Sequence, residues 1–394
     1  MPLLGQIRQQ LQESGALKGK RIGMALHVEA KTGVLALTLK EAGAEVKLAS
    51  CNPLSSDDDV VAALNQEFDL ETHAKRGFDR DEYYEALNKV LDIEPELIID
   101  DGTDMITLVH TQRTELLNSV VGANEETTTG IVRLKAMEKE GALKFPVMNV
   151  NDALMKHLFD NRYGTGQSTM DGIMSATNLV IAGKQVVVGG YGWCGRGIAM
   201  RARGMGGIVT VTEVDPVKAI EANMDGFNVM PMMEAVKKAD LVVTATGCKD
   251  IVTLEHMKAM KDGCLLCNSG HFDNEVDTAK LREMAKSSRV MRRDVEEFEL
   301  PSGKRIYLLG EGRLINLVGG QGHPVEIMDM SFAVQAACAR HLAEHHDEME
   351  NKVYKVPDAV DQELARLRLK ACSITIDKLS PEQKRYINSW QEGT

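Results

Sequence analysis

The sequence predicts an α/β protein with two doubly wound, Rossmann-like domains joined by a hinge, plus a small helical C-terminal tail. Strand-like and helix-like segments alternate through the first 150 residues, and a second alternating run spans residues 184–318. A glycine-rich turn follows the first strand of that second run. Strands separated by helices of this length pack as parallel βαβ units with right-handed crossovers. We therefore expect two mainly parallel sheets.

Apolar runs locate the strands in each half of the chain. The first half has predicted strands at 20–27, 45–50, 96–101 and 145–150, with an amphipathic helix at 31–41. The second half has predicted strands at 186–189, 208–213, 241–246, 265–268 and 307–309. The second domain is the one that contains the glycine-rich turn, so we expect it to bind the cofactor.

A turn-rich segment, Gly-Gly-Gln-Gly-His-Pro at 319–324, predicts a hinge between the two domains. A long helix is predicted from Val325 to about His346, and the tail at 358–394 has apolar positions at helical spacing. We assign residues 1–157 and 324–354 to the first domain, which we expect to bind the substrate, and residues 158–323 to the second domain, which contains the glycine-rich turn. Residues 355–394 are predicted to form an oligomerisation segment.

The glycine-rich turn has the pattern of a dinucleotide-binding site. Gly190 allows a tight turn, Gly192 lets backbone N–H groups approach a pyrophosphate, and Gly195 lets the following helix pack closely. The pyrophosphate would lie at a helix N-terminus, where unpaired N–H groups favour an anion. Glu213 ends the next strand, where a carboxylate accepts from ribose hydroxyls and repels a 2′-phosphate. The sequence therefore predicts NAD rather than NADP, and residues 158–323 are predicted to form the NAD-binding domain.

Charge and cysteine usage exclude several functional classes. Asp and Glu total 58 against 46 Lys and Arg, a net charge of −12, which argues against bulk binding to nucleic acid or anionic membranes. No apolar run approaches a spanning helix, and no signal-peptide pattern is present. Seven scattered cysteines suit reduced thiols in a cytoplasmic protein. Cys264 and Cys267 form a CxxC within a strand, which favours core packing, and no zinc-ligand spacing is found.

Polar residues that follow the first-domain strands are candidates for chemistry. Ligands in open α/β sheets bind outside the carboxyl ends of the strands. His27, the pair Asp100 and Asp101, and the run Glu-Glu-Thr-Thr-Thr at 125–129 all lie at such positions. Each also has a simpler interpretation: a solvated strand end for His27, or a helix N-cap with acids in its first turn for 125–129.

A lysine–aspartate pair lies where the chain passes into the second domain. If Asp152 caps a helix, Lys156 and Asp160 lie four residues apart on one face, with Asn161 beside them. The simpler interpretation is a surface ion pair. Because this helix leads into the cofactor domain, we expect the pair at the interdomain cleft, where the lysine could polarise a substrate hydroxyl.

Taken together, these segments closely resemble S-adenosylhomocysteine hydrolase. The matching runs follow the family order and span nearly the whole chain. They are 100–102, 124–130, 149–152, 159–161, 189–197, 212–216, 246–248, 267–273, 312–316 and 322–324.

The resemblance implies reversible hydrolysis of a nucleoside thioether through transient oxidation. In the family, tightly bound NAD takes hydride from the ribose 3′-carbon. The resulting ketone acidifies the C4′ hydrogen, homocysteine leaves from C5′, water adds, and the hydride returns. Exclusion of water during the cycle gives the two-domain cleft its purpose. A homotetramer or homodimer is implied as well.

Site residues follow from the same resemblance. Lys156 and Asp160 would act at the 3′-hydroxyl, Asp101 would be the base at C4′, and His27 and His271 would handle protons at the sulfur and the water. Glu126 and His323 would bind and orient the nucleoside. The implied NAD contacts are Thr127, Thr128, Thr129, Asn161, Gly190, Gly192, Trp193, Cys194, Gly195, Arg196, Gly197, Glu213, Thr246, Gly247, Ser269, Gly270, His271 and Asn316.

Most members have a Thr and a Glu after the first histidine, where this chain has Glu29 and Lys31. A lysine cannot accept from the adenine amino group. Hypoxanthine offers an O6 acceptor and an N1–H donor, which Lys31 and Glu29 could match. The motif resembles an archaeal and thermophile branch, some of whose members hydrolyse S-inosylhomocysteine, so we expect an inosyl substrate to be at least competitive.

Two further departures concern the redox site. Thr165 stands where many members have a cysteine, so that position is not expected to be essential to the redox step. Lys218 stands where an Asn is usual, and the chain ends without the Lys- and Tyr-bearing tail of longer members. Easier exchange of NAD is therefore expected.

Two alternatives share the fold. A simple NAD-dependent dehydrogenase would produce NADH that exchanges freely, whereas the hydrolase would not, because the hydride returns in each cycle. A catalytically inactive, nucleotide-sensing family member would lack the reactive side chains. Retention of Lys156, Asp160, Asp101, His27 and His271 argues against that alternative.

Overall fold

The computed structural model describes residues 1–391, and within them the chain forms fifteen strands. The strands are β1 Arg21–Leu26, β2 Glu45–Ser50, β3 Thr72–His73, β4 Leu97–Asp100, β5 Gly122–Glu125, β6 Val147–Asn149, β7 Gln185–Gly189, β8 Ile208–Thr212, β9 Asn228–Val229, β10 Leu241–Thr244, β11 Cys264–Asn268, β12 Ser287–Arg292, β13 Val295–Glu299, β14 Arg305–Leu309 and β15 Val353–Lys355.

The same residues form seventeen α-helices. They are α1 Pro2–Ser14, α2 Ala30–Glu41, α3 Asp58–Gln66, α4 Arg80–Leu91, α5 Asp104–Thr111, α6 Thr128–Lys139, α7 Leu154–His157, α8 Thr165–Thr177, α9 Trp193–Gly204, α10 Pro216–Met224, α11 Met232–Ala235, α12 Leu254–Ala259, α13 Thr278–Met284, α14 Ile315–Val318, α15 Val325–His345, α16 Asp358–Ala371 and α17 Pro381–Ile387.

The strands form two sheets, as the sequence predicts. The first has seven parallel strands in the order β15-β6-β5-β4-β1-β2-β3. The second has eight strands in the order β12-β13-β14-β11-β10-β7-β8-β9, and its only antiparallel pairs are β12 with β13 and β13 with β14. Each sheet separates two apolar clusters, the arrangement of a doubly wound domain.

Several strands are not predicted from the sequence. β3 and β9 have two residues each and β15 has three, too few to show a period. β5 is fully buried, but it ends in the polar residues Asn124 and Glu125, so its sequence lacks the apolar run expected of a buried strand. β12 is exposed along its whole length, so its sequence shows no alternation of apolar and polar residues and resembles that of a loop.

The CxxC is confirmed as core packing. Cys264 and Cys267 both lie buried in β11, and their side chains join apolar clusters on opposite faces of the second sheet. Successive side chains along a strand point to opposite faces, so two residues three positions apart lie on opposite sides of the sheet. All seven cysteines are free thiols.

After the second sheet the chain returns to the first. α15 packs on α1, α2 and α7, and β15 pairs with β6. α16 also packs on α1, α7 and α15, and its Leu364 is buried in the first-domain core. α17 has no buried residue. Among the described residues, no helix is long and apolar enough to cross a lipid bilayer.

Candidate active site

A cavity of about 1320 Å³ lies where the carboxyl ends of the two sheets face each other. Most single-ligand sites fall in the range of roughly 300–1,000 Å³, so this cavity has room for a dinucleotide together with a nucleoside. Nearly all predicted site residues line it. They are His27, Glu29, Asp101, Glu126, Thr127, Thr128, Thr129, Lys156, Asp160, Asn161, Gly190, Gly192, Trp193, Cys194, Arg196, Glu213, Thr246, Gly247, Ser269, Gly270, His271, Asn316 and His323.

Lys156 lies at the centre of a buried polar cluster. Its Nζ is 3.2 Å from Asp160 Oδ1, 3.3 Å from Glu126 Oε1 and 2.9 Å from Asn161 Oδ1. Lys156 and Asp160 are 4% and 5% exposed, so the surface-pair interpretation is wrong. Burial alone would lower the pKa of Lys156, but the Asp160 and Glu126 carboxylates outweigh it and hold that pKa above its ordinary value.

The two carboxylates around Lys156 differ in protonation. Burial would raise the pKa of Asp160, but Lys156, His323 and the Ser331 hydroxyl together hold it below its ordinary value. Burial raises the pKa of Glu126 to about 7, against the opposing effect of Lys156. Ser331 donates to Asp160 Oδ2 at 2.7 Å. Asp160 is therefore ionised at neutral pH, whereas Glu126 is poised to exchange a proton.

A second polar cluster joins the two domains at Asp101. His27 Nε2 lies 3.4 Å from Asp101 Oδ2, and His271 Nδ1, from the second domain, lies 3.5 Å from Oδ1. Burial lowers the pKa of His27 to about 4, so its ring is neutral at pH 7. A side chain at Gly102 would overlap the His271 ring, so the glycine is what lets that ring approach.

Asp101 is held in place by two neighbouring acids that do not line the cavity. Asp100 accepts from the N–H groups of Asp101 and Ile106 at 3.0 and 2.9 Å. Glu125 accepts from Gly102 N at 2.9 Å and from the Thr103 hydroxyl. Burial raises the pKa of Asp100 to about 7 and that of Glu125 well above its ordinary value. These two acids support the loop, and Asp101 alone faces the cavity.

His323, in the hinge segment, reaches the same cavity from the other side. Its Nδ1 lies 3.0 Å from the Ser168 hydroxyl, and its Nε2 lies 3.2 Å from the Thr165 hydroxyl and 3.4 Å from Asp160 Oδ1. Thr165 thus orients a site residue with a hydroxyl.

The glycine-rich turn has the geometry that a dinucleotide requires. Gly190 has φ +96°, which only glycine adopts without strain, and a side chain at Gly195 would overlap the Gly190 carbonyl. Gly192 caps α9 and has no atom within 4 Å of where a Cβ would be, so the helix N-terminus is open. Glu213 accepts from Tyr191 N and Val214 N, both at 2.7 Å, which fixes it beside the turn.

Buried groups farther along the second sheet also fit the cofactor. Asn316 Oδ1 is buried, and among the described residues it has no hydrogen-bond partner. Glu275, which lies outside the cavity lining, accepts from Thr246 N, Gly247 N and the Thr246 hydroxyl. It therefore shapes the loop after β10, whose residues Thr246 and Gly247 line the cavity. The residues present fit NAD.

Three predicted site residues do not line the cavity. The Lys31 ammonium lies 2.7 Å from Glu29 Oε2 and donates to the Gln321 carbonyl at 3.1 Å, which ties it to the hinge segment. Gly195 faces the turn, and a side chain at Gly197 would overlap the Arg162 carbonyl. Both glycines therefore serve helix packing rather than direct contact.

The predicted cap of the lysine helix is wrong. α7 begins at Leu154, and the Asp152 carboxylate instead accepts from the side chains of Asn149 and Asn151. The N–H groups of Leu154 and Met155 donate to Asp361, more than 200 residues away along the chain. Residues Asp160–Gly164 then form a π-helical turn, which places Asp160 and Asn161 around Lys156.

One group of side chains, two of which line the cavity, has metal-ligand character. Atoms of His27, Cys51 and Asp101 lie within 4.8 Å of one another. Burial raises the pKa of Cys51 well above its ordinary value, and the neighbouring carboxylates add to this, so the thiol stays protonated. Ser55 bonds to His27 Nδ1 at 2.7 Å, so that nitrogen already has a protein partner.

The sequence analysis did not predict the residues that hydrogen-bond to the candidate catalytic side chains and fix their orientation. Ser331 and Gln335 on α15 bond to Asp160 and Glu126 respectively. The signal was present: they are two polar residues four apart within an otherwise apolar run, so they share one face of a buried helix. Glu275 and Asp361 had no local signal, because their partners are remote in sequence.

Comparison with known proteins places the chain in a family. The family model described as S-adenosyl-L-homocysteine hydrolase matches residues 1–118, and that described as S-adenosyl-L-homocysteine hydrolase, NAD binding domain, matches residues 161–322. The chain is 58% identical over all its 394 residues to the S-inosyl-L-homocysteine hydrolase of Methanocaldococcus jannaschii, covering 94% of that protein. The corresponding protein of Methanococcus maripaludis is 56% identical, also with 94% covered.

Relatives with the other substrate name are nearly as similar. The adenosylhomocysteinase of Thermoplasma acidophilum is 54% identical over the same 394 residues, which cover 96% of that protein. The match to the NAD-binding model confirms the cofactor predicted from the glycine-rich turn. The chain belongs to the S-adenosyl-L-homocysteine hydrolase family.

Proposed function

We propose that the protein reversibly hydrolyses a purine nucleoside thioether of L-homocysteine to the nucleoside and homocysteine. The observation that carries this proposal is the buried cluster of Lys156, Asp160 and Glu126, which shares one cavity with Asp101 and with the dinucleotide-binding turn. When bound, NAD supplies a reversible hydride acceptor for the 3′-carbon. Gly192, Glu213, Asn161 and Asn316 are the residues we expect to hold it.

Lys156 and Asp160 act at the ribose 3′-hydroxyl. The lysine is an ammonium at neutral pH, because its raised pKa keeps it protonated. It donates a hydrogen bond to the 3′-oxygen, while the ionised Asp160 accepts from the hydroxyl. Burial makes both interactions stronger than they would be in water.

Asp101 is the base that removes the C4′ hydrogen. Its Oδ1 is buried and, within residues 1–391, accepts no hydrogen bond, so it retains an available lone pair. His27 and His271 flank it at 3.4 and 3.5 Å and handle protons at the leaving sulfur and the attacking water. The neutral His27 ring can accept a proton from the attacking water.

The purine is read by Glu29 and Lys31, and we expect the inosyl substrate to be at least competitive with the adenosyl one. Glu29 lines the cavity, and the Lys31 ammonium lies 2.7 Å from its carboxylate. With hypoxanthine, the carboxylate accepts from N1–H, and the ammonium leaves the Gln321 carbonyl to donate to O6. Two relatives named as S-inosyl-L-homocysteine hydrolases, at 58% and 56% identity, support this choice.

The experiment compares the two thioethers on purified, NAD-loaded protein. Thiol release is followed for S-inosyl- and S-adenosyl-L-homocysteine, together with absorbance of free NADH. We expect thiol release without net NADH, and a kcat/KM for the inosyl compound at least equal to that for the adenosyl compound. A large adenosyl preference refutes the purine assignment, and stoichiometric NADH without thiol identifies a dehydrogenase.

We also infer a cytoplasmic homo-oligomer, a tetramer or dimer. The tail after α16 exposes several apolar side chains, among them Ile376, Ile387 and Trp390, which are 67%, 63% and 91% exposed. Burial of these apolar side chains against a second copy of the chain would stabilise an oligomer. The seven free thiols suit a reducing compartment. Light scattering at several concentrations tests the assembly, with a monomer throughout as the contrary result.

A further inference from the structure

The four-residue helix α7 carries Lys156 and cannot satisfy its own N-terminus. The first N–H groups of any helix lack intrahelical acceptors, and in a helix this short they are most of its donors. Asp152, just before the helix, is bonded to other groups. The backbone that holds the catalytic lysine therefore depends on an acceptor from elsewhere.

That acceptor is Asp361, on α16. Its Oδ2 accepts from Leu154 N at 2.8 Å and its Oδ1 accepts from Met155 N at 2.9 Å. The residue is 2% exposed. One oxygen serves each N–H, so the carboxylate satisfies both donors at once. An anion at this end of a helix is also favoured by the helix dipole.

Lys156 follows Met155 directly, so the two bonds fix the lysine's own backbone. Its ammonium is held separately by Asp160, Glu126 and Asn161. If α7 shifted, the backbone and aliphatic chain of Lys156 would move relative to the Asp160 and Glu126 carboxylates, which lie outside α7. Misplacement of a reacting group by 1 Å can cost about 10²-fold in rate.

We propose that Asp361 is a positioning residue, which sets the place of Lys156 in the cavity by capping α7 from the C-terminal helix α16. The proposal rests on the function proposed above for Lys156. It gives α16 a role in the active site of its own chain, separate from any role of the tail in assembly.

The chain contains a matched control. Asp329 on α15 is fully buried and accepts from the consecutive groups Leu3 N and Leu4 N, at 3.1 and 2.8 Å, at the start of α1. It also accepts from Arg368. Its two bonds from consecutive N–H groups match those of Asp361, yet no residue of α1 lines the cavity. Asp329→Asn thus reports the cost of losing such a cap without involving Lys156.

The experiment compares Asp361→Asn and Asp329→Asn with the wild-type protein, each loaded with NAD. Thiol release gives kcat and KM, and hydrogen exchange reports protection of the amides at Leu154 and Met155. For Asp361→Asn we expect kcat to fall about 10- to 100-fold with KM changed less than about threefold, and faster exchange at these two amides. For Asp329→Asn we expect kcat within about twofold of wild type, with faster exchange near Leu3, Leu4 and Arg368 but not at Leu154 and Met155.

Equal kcat values for the two variants overturn the proposal, because both would then report only stability. Unchanged exchange at Leu154 and Met155 in Asp361→Asn also overturns it. If the wild-type protein releases no thiol, the proposed function fails, and the exchange measurement alone then decides whether Asp361 holds α7.

Discussion

The two sheet edges that meet at the cavity present different chemistry. The first-domain edge offers the buried titratable side chains of Asp101, Glu126 and Lys156, and Asp160 follows them directly where the chain enters the second domain. The second-domain edge offers backbone at Gly190 and Gly192 together with small neutral side chains such as Ser269 and Thr246. Groups that move protons need tuned pKa values, whereas a dinucleotide needs N–H groups and space. The comparison indicates that the first domain carries most of the proton chemistry, with His271 as the contribution of the second domain, and that the second domain carries the cofactor.

The electrostatic consequence follows from burial. On the first edge, burial and close charges move the pKa of Glu126 to about 7 and that of His27 to about 4. On the second edge, the Glu213 carboxylate accepts hydrogen bonds from backbone N–H groups and is not paired with another ionisable side chain. Substitutions on the first edge should therefore lower turnover or change the pH dependence of stability, whereas substitutions on the second edge should weaken NAD binding.

The largest effect is expected at Asp101. Asp101→Asn keeps the shape but removes the base, so turnover should fall about 10²- to 10⁴-fold while NAD stays bound. The control is Asp104→Asn, since Asp104 bonds to Arg133 and Tyr83 and does not line the cavity. Thiol release and cofactor content are measured on each. Loss of NAD from Asp101→Asn, with turnover restored by added NAD, would show that the two edges are not separate.

The next effect is a pH dependence of stability from His27. Its folded pKa, about 4, lies below the unfolded value of 6.5, so its contribution is present above pH 6.5 and is lost as pH falls towards 4. The loss should approach roughly 3 kcal/mol. His27→Asn should remove that part of the pH dependence, measured as urea-unfolding midpoints from pH 7 to 4.5.

Profiles for the wild type and His27→Asn that run parallel over the whole range would mean that the His27 ring titrates as it does in water.

The smallest effect is expected on the second edge, at Gly192. A Cβ there has nothing within 4 Å, so Gly192→Ala should leave the melting temperature of the cofactor-free protein unchanged. The methyl group should nevertheless raise the Kd for NAD about tenfold, because it obstructs approach of the pyrophosphate to the α9 N-terminus.

Gly204→Ala is the matched variant, since Gly204 ends the same helix and also has nothing within 4 Å. Titration calorimetry should give it a wild-type Kd. Equal Kd values for the two variants would place the dinucleotide away from this turn.

Local signals in the sequence were enough for much of this arrangement. The Gly190 turn lies between two apolar strands, so both its fold and its cofactor could be predicted. Lys156 and Asp160 could be paired because their spacing is local. Their burial could not be foreseen, because Ser331 reaches Asp160 from a helix 171 residues away. The cap of α7 was misassigned to Asp152 for the same reason: Asp361 competes from a distance that no local pattern reveals.

The most direct test of the division between the two edges is hydrogen exchange at the substrate's C4′ position during turnover in D2O. NAD-loaded protein is incubated with S-inosyl- or S-adenosyl-L-homocysteine, and the nucleoside is analysed by mass spectrometry and NMR. We expect deuterium at C4′ with the wild-type protein and none with Asp101→Asn. Thiol release from the wild type without deuterium at C4′, under conditions where free solvent reaches the site, would contradict the role of Asp101 and with it the assignment of proton chemistry to the first-domain edge.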